Sequence, residues 1–240
     1  MRFFIWSNIR LLILFGVVVF LYSFTTFRNS SRKLVKSEVI FINDDNLFVK
    51  EETVNKLLIE NKNDVRSIAK DKLDLDKLEK AISKHSMIEN ADVFVSVNGV
   101  LKAVVKQKTP VGRVFDETGS FYIDYEGNSM PISDSFTARV PLVLGKIDGG
   151  NIKKIAEVLK QIYNDEFLKR NIIGVEVLPN GSLNMTNRNF SYQLVFGRPI
   201  NIEKKFKNYK AFFQKAVLDS SLFKYKKVNL KFTQQVVCTK

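Results

Sequence analysis

The chain has 240 residues, a formal net charge of +13 and 45% hydrophobic residues, with 20 Phe spread along it. That apolar content supplies a core and excludes a wholly disordered chain. One cysteine, Cys238, and one histidine, His85, exclude an internal disulfide and a thiolate zinc cluster built by this chain alone.

The positive charge has three readings. It is a lysine-rich solvated surface, or an attraction to anionic lipid or acidic partners, or a nucleic-acid footprint. The chain offers no helix-turn-helix, zinc-finger spacing or RNP-like aromatic strand, which argues against nucleic acid.

In chain order, Leu11–Tyr22 comes first, uncharged and strongly apolar. With its flanks through Phe27 it is long enough to span a bilayer, and in lipid such a segment must be a helix. Arg10 and Arg28 suit the two surfaces, as do Trp6 and Tyr22. A cleaved signal peptide is the rival reading. It lacks support, because Ser23-Phe24-Thr25-Thr26-Phe27 offers no small-x-small cleavage site. We expect residues 1–10 to form a short tail and 11–31 the transmembrane helix. Arg28, Arg32, Lys33 and Lys36 follow the span, so charge alone leaves the orientation open.

A first soluble region is expected over residues 35–108. Ser37–Asn43 reads as a strand. Lys50–Asn61 reads as a helix with Val54, Leu57 and Leu58 on one face, and 64–72 as a polar connection. Asp74–His85 is a second helix, with Leu75, Leu78 and Ile82 inward and Asp74 as its cap. Ala91–Val97 and Val100–Gln107 form a hairpin around Asn98-Gly99, for which a type I′ turn is expected. Val93, Val95 and Val97 should point inward, as should Leu101, Ala103 and Val105. The order strand, helix, helix, strand, strand makes a small α+β layer structure.

The second region, residues 111–240, is strand-rich. Phe121–Asp124 and Ser129–Ile132 flank a turn. Val140–Gly145 is a further strand. Asn151–Leu168 is an amphipathic helix with Ile152, Ile155, Leu159 and Ile162 inward. Strands follow at Ile173–Leu178, Ser182–Thr186 and Tyr192–Phe196. Ile202–Leu218 is a helix with Phe206, Tyr209, Phe213 and Val217 on one side. Lys226–Phe232 and Gln234–Cys238 close the chain as strands.

Met87–Phe115 (MIENADVFVSVNGVLKAVVKQKTPVGRVF) resembles the distinctive stretch of the FtsQ/DivIB family of bacterial cell-division proteins, with Ile88, Ala91, Val93, Leu101, Val105 and Pro110 at matching places. It departs at Asn98-Gly99, where a proline turn is usual, and at Lys106-Gln107-Lys108, where an acidic-basic pair is common. The YIDYEGNSMPIS and VPLVLG segments and the terminal KVNLKF are similar to further family motifs. The resemblance implies a transmembrane helix, a POTRA domain with β-α-α-β-β order, and a larger mixed α/β domain with a mostly antiparallel sheet. It carries the preference for a cytoplasmic N-terminus and extracytoplasmic domains, in the cytoplasmic membrane at the division septum. It implies a divisome scaffold that receives a segment of FtsB, acting with FtsL, on its last strands, alongside other divisome proteins. A POTRA-bearing secretion or envelope-assembly subunit is the alternative.

By position, Tyr225, Lys227, Lys231, Phe232, Thr233, Gln234, Gln235 and Val236 are the implied partner-binding residues, and the edge strand is expected at Gln234–Cys238. No cofactor, metal or catalytic residue is expected. His85 reads as a boundary residue of a lysine-rich helix. Cys238 stands too near the chain end to serve as a nucleophile. Asp124 and Glu126 read as turn residues, and Gly149-Gly150 as a turn before a helix that lacks a P-loop lysine-hydroxyl pair.

Overall fold

The structure is a computed structural model describing residues 2–30, 32–42, 48–59, 65–68, 70, 73–116 and 119–240. Helix α1 (Arg2–Ser30) comes first. Its stretch Asn8–Arg28 has a mean hydropathy of 2.0, none of it is buried, and it is long and apolar enough to cross a membrane. The chain divides into two compact units, Met1–Gln107 and Lys108–Lys240.

In the first unit, β1 (Lys36–Phe41) is followed by α2 (Glu51–Leu58), α3 (Leu75–Ser83), β2 (Ile88–Val95) and β3 (Val100–Gln107). The sheet order is β1-β3-β2, with β1 parallel and β2 antiparallel to β3. Both helices bury their apolar stripes: Val54, Leu58, Leu78 and Ile82 meet Val39, Ala91, Val93, Leu101, Ala103 and Val105. Full burial of each large side chain contributes about 1.5–3 kcal/mol. Asp74 caps α3 as expected, accepting the Lys77 N–H at 3.0 Å. The buried Gln107 Oε1 accepts the Phe48 and Val49 N–H groups at 2.8 and 3.1 Å, tying down the approach to α2. Asn43, the end of the expected first strand, lies outside the described residues, as do 60 and 61 of the first helix and 64, 69, 71 and 72 of the connection.

The hairpin differs from the expected type I′ turn. Gly99 N–H donates to Ser96 O at 3.0 Å, so Val97 and Asn98 are the central residues. Only Gly99 has positive φ, at +80°. This is a four-residue turn ending in a left-handed glycine, another connection that suits strand twist. The shift carries Val97 out of the strand, and it is 84% exposed instead of inward. Ile88, Ala91 and Val93 fill the face instead.

In the second unit, β4 (Pro110–Asp116), β5 (Gly119–Asp124), β6 (Ser129–Pro131) and β7 (Leu142–Gly145) precede α4 (Ile152–Asn164) and α5 (Glu166–Asn171). Next come β8 (Ile172–Val177), β9 (Leu183–Asn187), β10 (Gln193–Gly197), α6 (Ile202–Leu218), β11 (Lys227–Asn229) and β12 (Val237–Thr239). They form a nine-stranded sheet in the order β12-β11-β10-β9-β8-β7-β4-β5-β6. Pairing is mostly antiparallel; β4/β7, β7/β8 and β10/β11 are parallel. Helices α4, α5 and α6 share one core with the sheet through Ile155, Leu159, Ile162, Leu168, Phe206 and Tyr209. Gly112 in β4 permits that approach, since a Cβ there would lie 2.6 Å from Leu159 Cδ1.

Three expectations are corrected here. The single helix over 151–168 is two, because Asp165 is extended and caps α5 by accepting the Leu168 N–H at 3.1 Å. Val217 is exposed, and Ala216 and Lys205 are buried instead. Strand β4 was not foreseen, although it joins β5 to β7.

Candidate functional site

The nine-stranded sheet has two margins, β6 and β12. A margin presents unpaired backbone groups unless something blunts it. Strand β6 is three residues long and ends in Pro131, which has no N–H to offer. Strand β12 has no such block. Among the described residues it pairs only with β11, in the register Lys227↔Thr239, Val228↔Cys238, Asn229↔Val237. Lys226 N–H extends this pairing to Thr239 O at 2.8 Å. From Ser220 onward the chain carries Lys224, Lys226, Lys227, Lys231 and Lys240 and no acidic residue. The sequence around this margin is therefore lysine-rich, with Asp219 the acidic residue in the adjoining groove lining, a balance suited to an acidic partner segment.

The run-up to β12 lacks strand pairing and is held by side chains. Asn229 Oδ1 accepts the Lys231 N–H at 2.9 Å. Asn208, on α6, donates through Nδ2 to Thr233 O at 2.9 Å. The Lys231 stem lies over Gly197, where a Cβ would stand 2.8 Å from Lys231 Cγ and where φ is +77°. Beneath that glycine, Lys205 is only 2% exposed. Its Nζ donates to Phe196 O at 3.0 Å and Arg198 O at 2.7 Å, and sits 4.6 Å from the Phe196 ring centre. Burial lowers the pKa of this ammonium.

Beside β12 runs a groove of about 540 Å³ between the second half of α6 and residues 234–238. Asn208, Ala211, Phe212 and Lys215 form its helical wall, and Tyr225, Gln234, Gln235, Val236 and Cys238 line it opposite. The Tyr225 ring stands 5.6 Å from that of Phe212.

The residues expected at the site thus lie on one stretch of the fold. Lys227 is exposed on β11, and Tyr225, Gln234, Gln235 and Val236 line the groove. Thr233 is half-buried, Lys231 is exposed and Phe232 is 51% exposed. The strand bounds are corrected: β11 stops at Asn229, and the terminal strand begins at Val237 instead of Gln234. Residues 234–236 are groove lining, not ladder. Sequence reasoning missed the α6 wall. Its signal was present as Asn208, Ala211, Phe212 and Lys215 at i, i+3, i+4 and i+7, a second face on a helix already credited with one.

Elsewhere the chemistry-bearing residues have structural surroundings. His85 Nδ1 accepts the Met87 N–H at 3.3 Å, and burial lowers its pKa. Burial pushes the Cys238 thiol up, away from thiolate character. Asp124 is buried in the β5–β6 turn, accepting the Asn128 N–H at 2.7 Å, with Lys108 Nζ 3.6 Å away. Gly149-Gly150 forms the turn before α4, where Asp148 Oδ1 accepts the Gly150 N–H at 2.9 Å. Among the described residues no cluster of His, Cys, Asp and Glu could hold a metal ion.

Residues 109–239 match the family described as FtsQ/DivIB, C-terminal related, and residues 39–106 match the POTRA-like domain. Among solved structures, the chain is similar to the major extracytoplasmic domain, trans isomer, of the bacterial cell division protein DivIB from Geobacillus stearothermophilus. Identity is 16% and the TM-score 0.34, over 47% of this chain and 95% of that one. No curated protein matches.

Proposed function

The chain belongs to the FtsQ/DivIB, C-terminal related family of cell-division proteins, and from that premise we propose that it is a single-pass membrane scaffold whose β12 margin receives a strand of FtsB, with FtsL in the same assembly. The unblocked β12 margin carries this reading. A partner strand laid there would gain main-chain hydrogen bonds, while the adjoining groove would select its side chains. The lysines would steer an acidic segment toward the margin and raise its association rate. Phe232, half out of the protein, is suited to become a buried anchor in the complex. Helix α1 would hold both units on the extracytoplasmic side, at the septum, where the assembly helps control wall synthesis. The role asked of the chain is binding, without catalysis.

Affinity capture of co-encoded FtsB and FtsL by the full chain tests this. Capture by the native chain and its loss in Phe232→Ala and Lys231→Glu are expected. Undiminished capture in both variants would reject the edge. A reporter fused after Lys240 that is active only in the cytoplasm would reject the topology.

A further inference from the structure

We propose that the end of the first unit where the chain leaves α1 docks on anionic lipid headgroups, with Val97 at its tip. The inference rests on α1 being the membrane anchor. Its first support is the brevity of the connection. Helix α1 ends at Ser30. Arg32 O already accepts the Lys70 N–H at 3.1 Å, and Leu34 N–H donates to Ile68 O at 3.2 Å. The Leu34 side chain is 2% exposed, inside the core. Two residues past the helix span at most about 7 Å, so the unit has no tether on which to stand away from the bilayer.

The β2–β3 turn shares this end. Val35 N–H donates to Gly99 O at 2.8 Å, and a Cβ on Gly99 would lie 3.3 Å from Lys33 O. Val97, at 84% exposed, therefore projects from the end nearest the anchor. The charge agrees with the placement. Arg28, Arg32, Lys33 and Lys36 follow the span, and no acidic residue occurs before Glu38. Lys70 joins them through its bond to Arg32. Basic residues this close to an anionic surface each favour the docked state by roughly fivefold, and the gain fades within a Debye length. The opposite end of β3 is about 25 Å away, at roughly 3.3 Å per residue. Ile42 marks it, its N–H bonded to Val105 O at 3.0 Å.

The test reconstitutes the full chain in vesicles with brominated acyl chains, made with phosphatidylglycerol or of phosphatidylcholine alone. Trp6 is the chain's one tryptophan and reports on the anchor itself. In a Trp6→Phe background, Val97→Trp and Ile42→Trp report the two ends of the unit. Strong bromine quenching at position 97, weak quenching at 42, and a marked weakening of the former, short of complete loss because the connection is brief, in phosphatidylcholine alone or in Arg32→Gln/Lys33→Gln/Lys70→Gln are expected. Equal quenching at the two positions overturns the docking, as does quenching at 97 that ignores lipid charge. Quenching of Trp6 without quenching at 97 overturns the docking and leaves the anchor standing. An unquenched Trp6 in the native chain overturns the anchor reading first.

Discussion

Two strand margins of this molecule are treated in opposite ways. In the first unit, the outer margin of β2 is stopped by its own helix: Glu79 Oε1 accepts the Val93 N–H at 2.7 Å. A carboxylate there occupies a donor that an incoming strand would need, and adds negative charge to the edge. In the second unit, β12 has lysines around it, a groove beside it and no side chain across its outer margin among the described bonds. Edge strands that must stay monomeric are blocked; one left open and charged is suited to a chosen partner. The difference lies in which helix residue faces the margin: a glutamate on α3, and on α6 an asparagine that grips the run-up rather than the strand.

The largest expected effect breaks the β12 side. The double variant Lys231→Glu/Phe232→Ala removes a steering charge and an exposed aromatic anchor. We expect FtsB capture, read by titration calorimetry, to weaken by about a hundredfold or more, as for truncated interface anchors. Thermal stability should barely move, since both side chains are exposed. Glu79→Ala probes the other margin. Leaving the Val93 N–H without its acceptor should cost about 1–3 kcal/mol in denaturant unfolding and promote self-association, with capture unchanged. Capture that falls as much as in the double variant would erase the contrast between the margins.

Asn208→Ala should have a smaller effect, about 1 kcal/mol, with faster exchange of the amides around Thr233 and a few-fold weaker capture. The smallest effect is pH-dependent. Burial pushes the Asp165 carboxyl up, but its bonds to Lys210 and the Leu168 N–H outweigh this and leave it below the ordinary value of 3.8. A depressed carboxylate contributes stability in full above that value and loses it as pH falls through the folded pKa. Acid unfolding should therefore begin at slightly higher pH in Lys210→Met. The shift should be worth under about 1 kcal/mol, because the pair is partly exposed. The first unit, followed through its own amides, should not respond.

The sequence was legible where local signals were strong. The helix Ile202–Leu218 came out with the bounds expected from its periodicity, and Asp74 capped as its type requires. It was less legible where tertiary contacts decide. Strand β4 begins with Pro110 and contains Gly112, both poor strand signals. Gly112 is there because α4 lies against it. Asp165 reads as one polar residue in a periodic run, yet it ends one helix and caps the next. At the candidate site the residue types were readable but the register was not. A side chain 25 residues earlier in the chain, Asn208, takes the Thr233 carbonyl. That bond holds the run-up, and the ladder begins only at Val237. Nothing in the Gln234–Cys238 run itself announces the delay.

Amide hydrogen exchange of the full chain, with and without the co-encoded extracytoplasmic segment of FtsB, tests the β12 margin most directly. New protection is expected at those of the Val237, Cys238 and Thr239 amides that point away from β11, because successive N–H groups of a strand alternate sides, with β2 and β6 unchanged. Tight binding that leaves those three amides exchanging as in the free chain would contradict strand addition at the carboxyl-terminal edge.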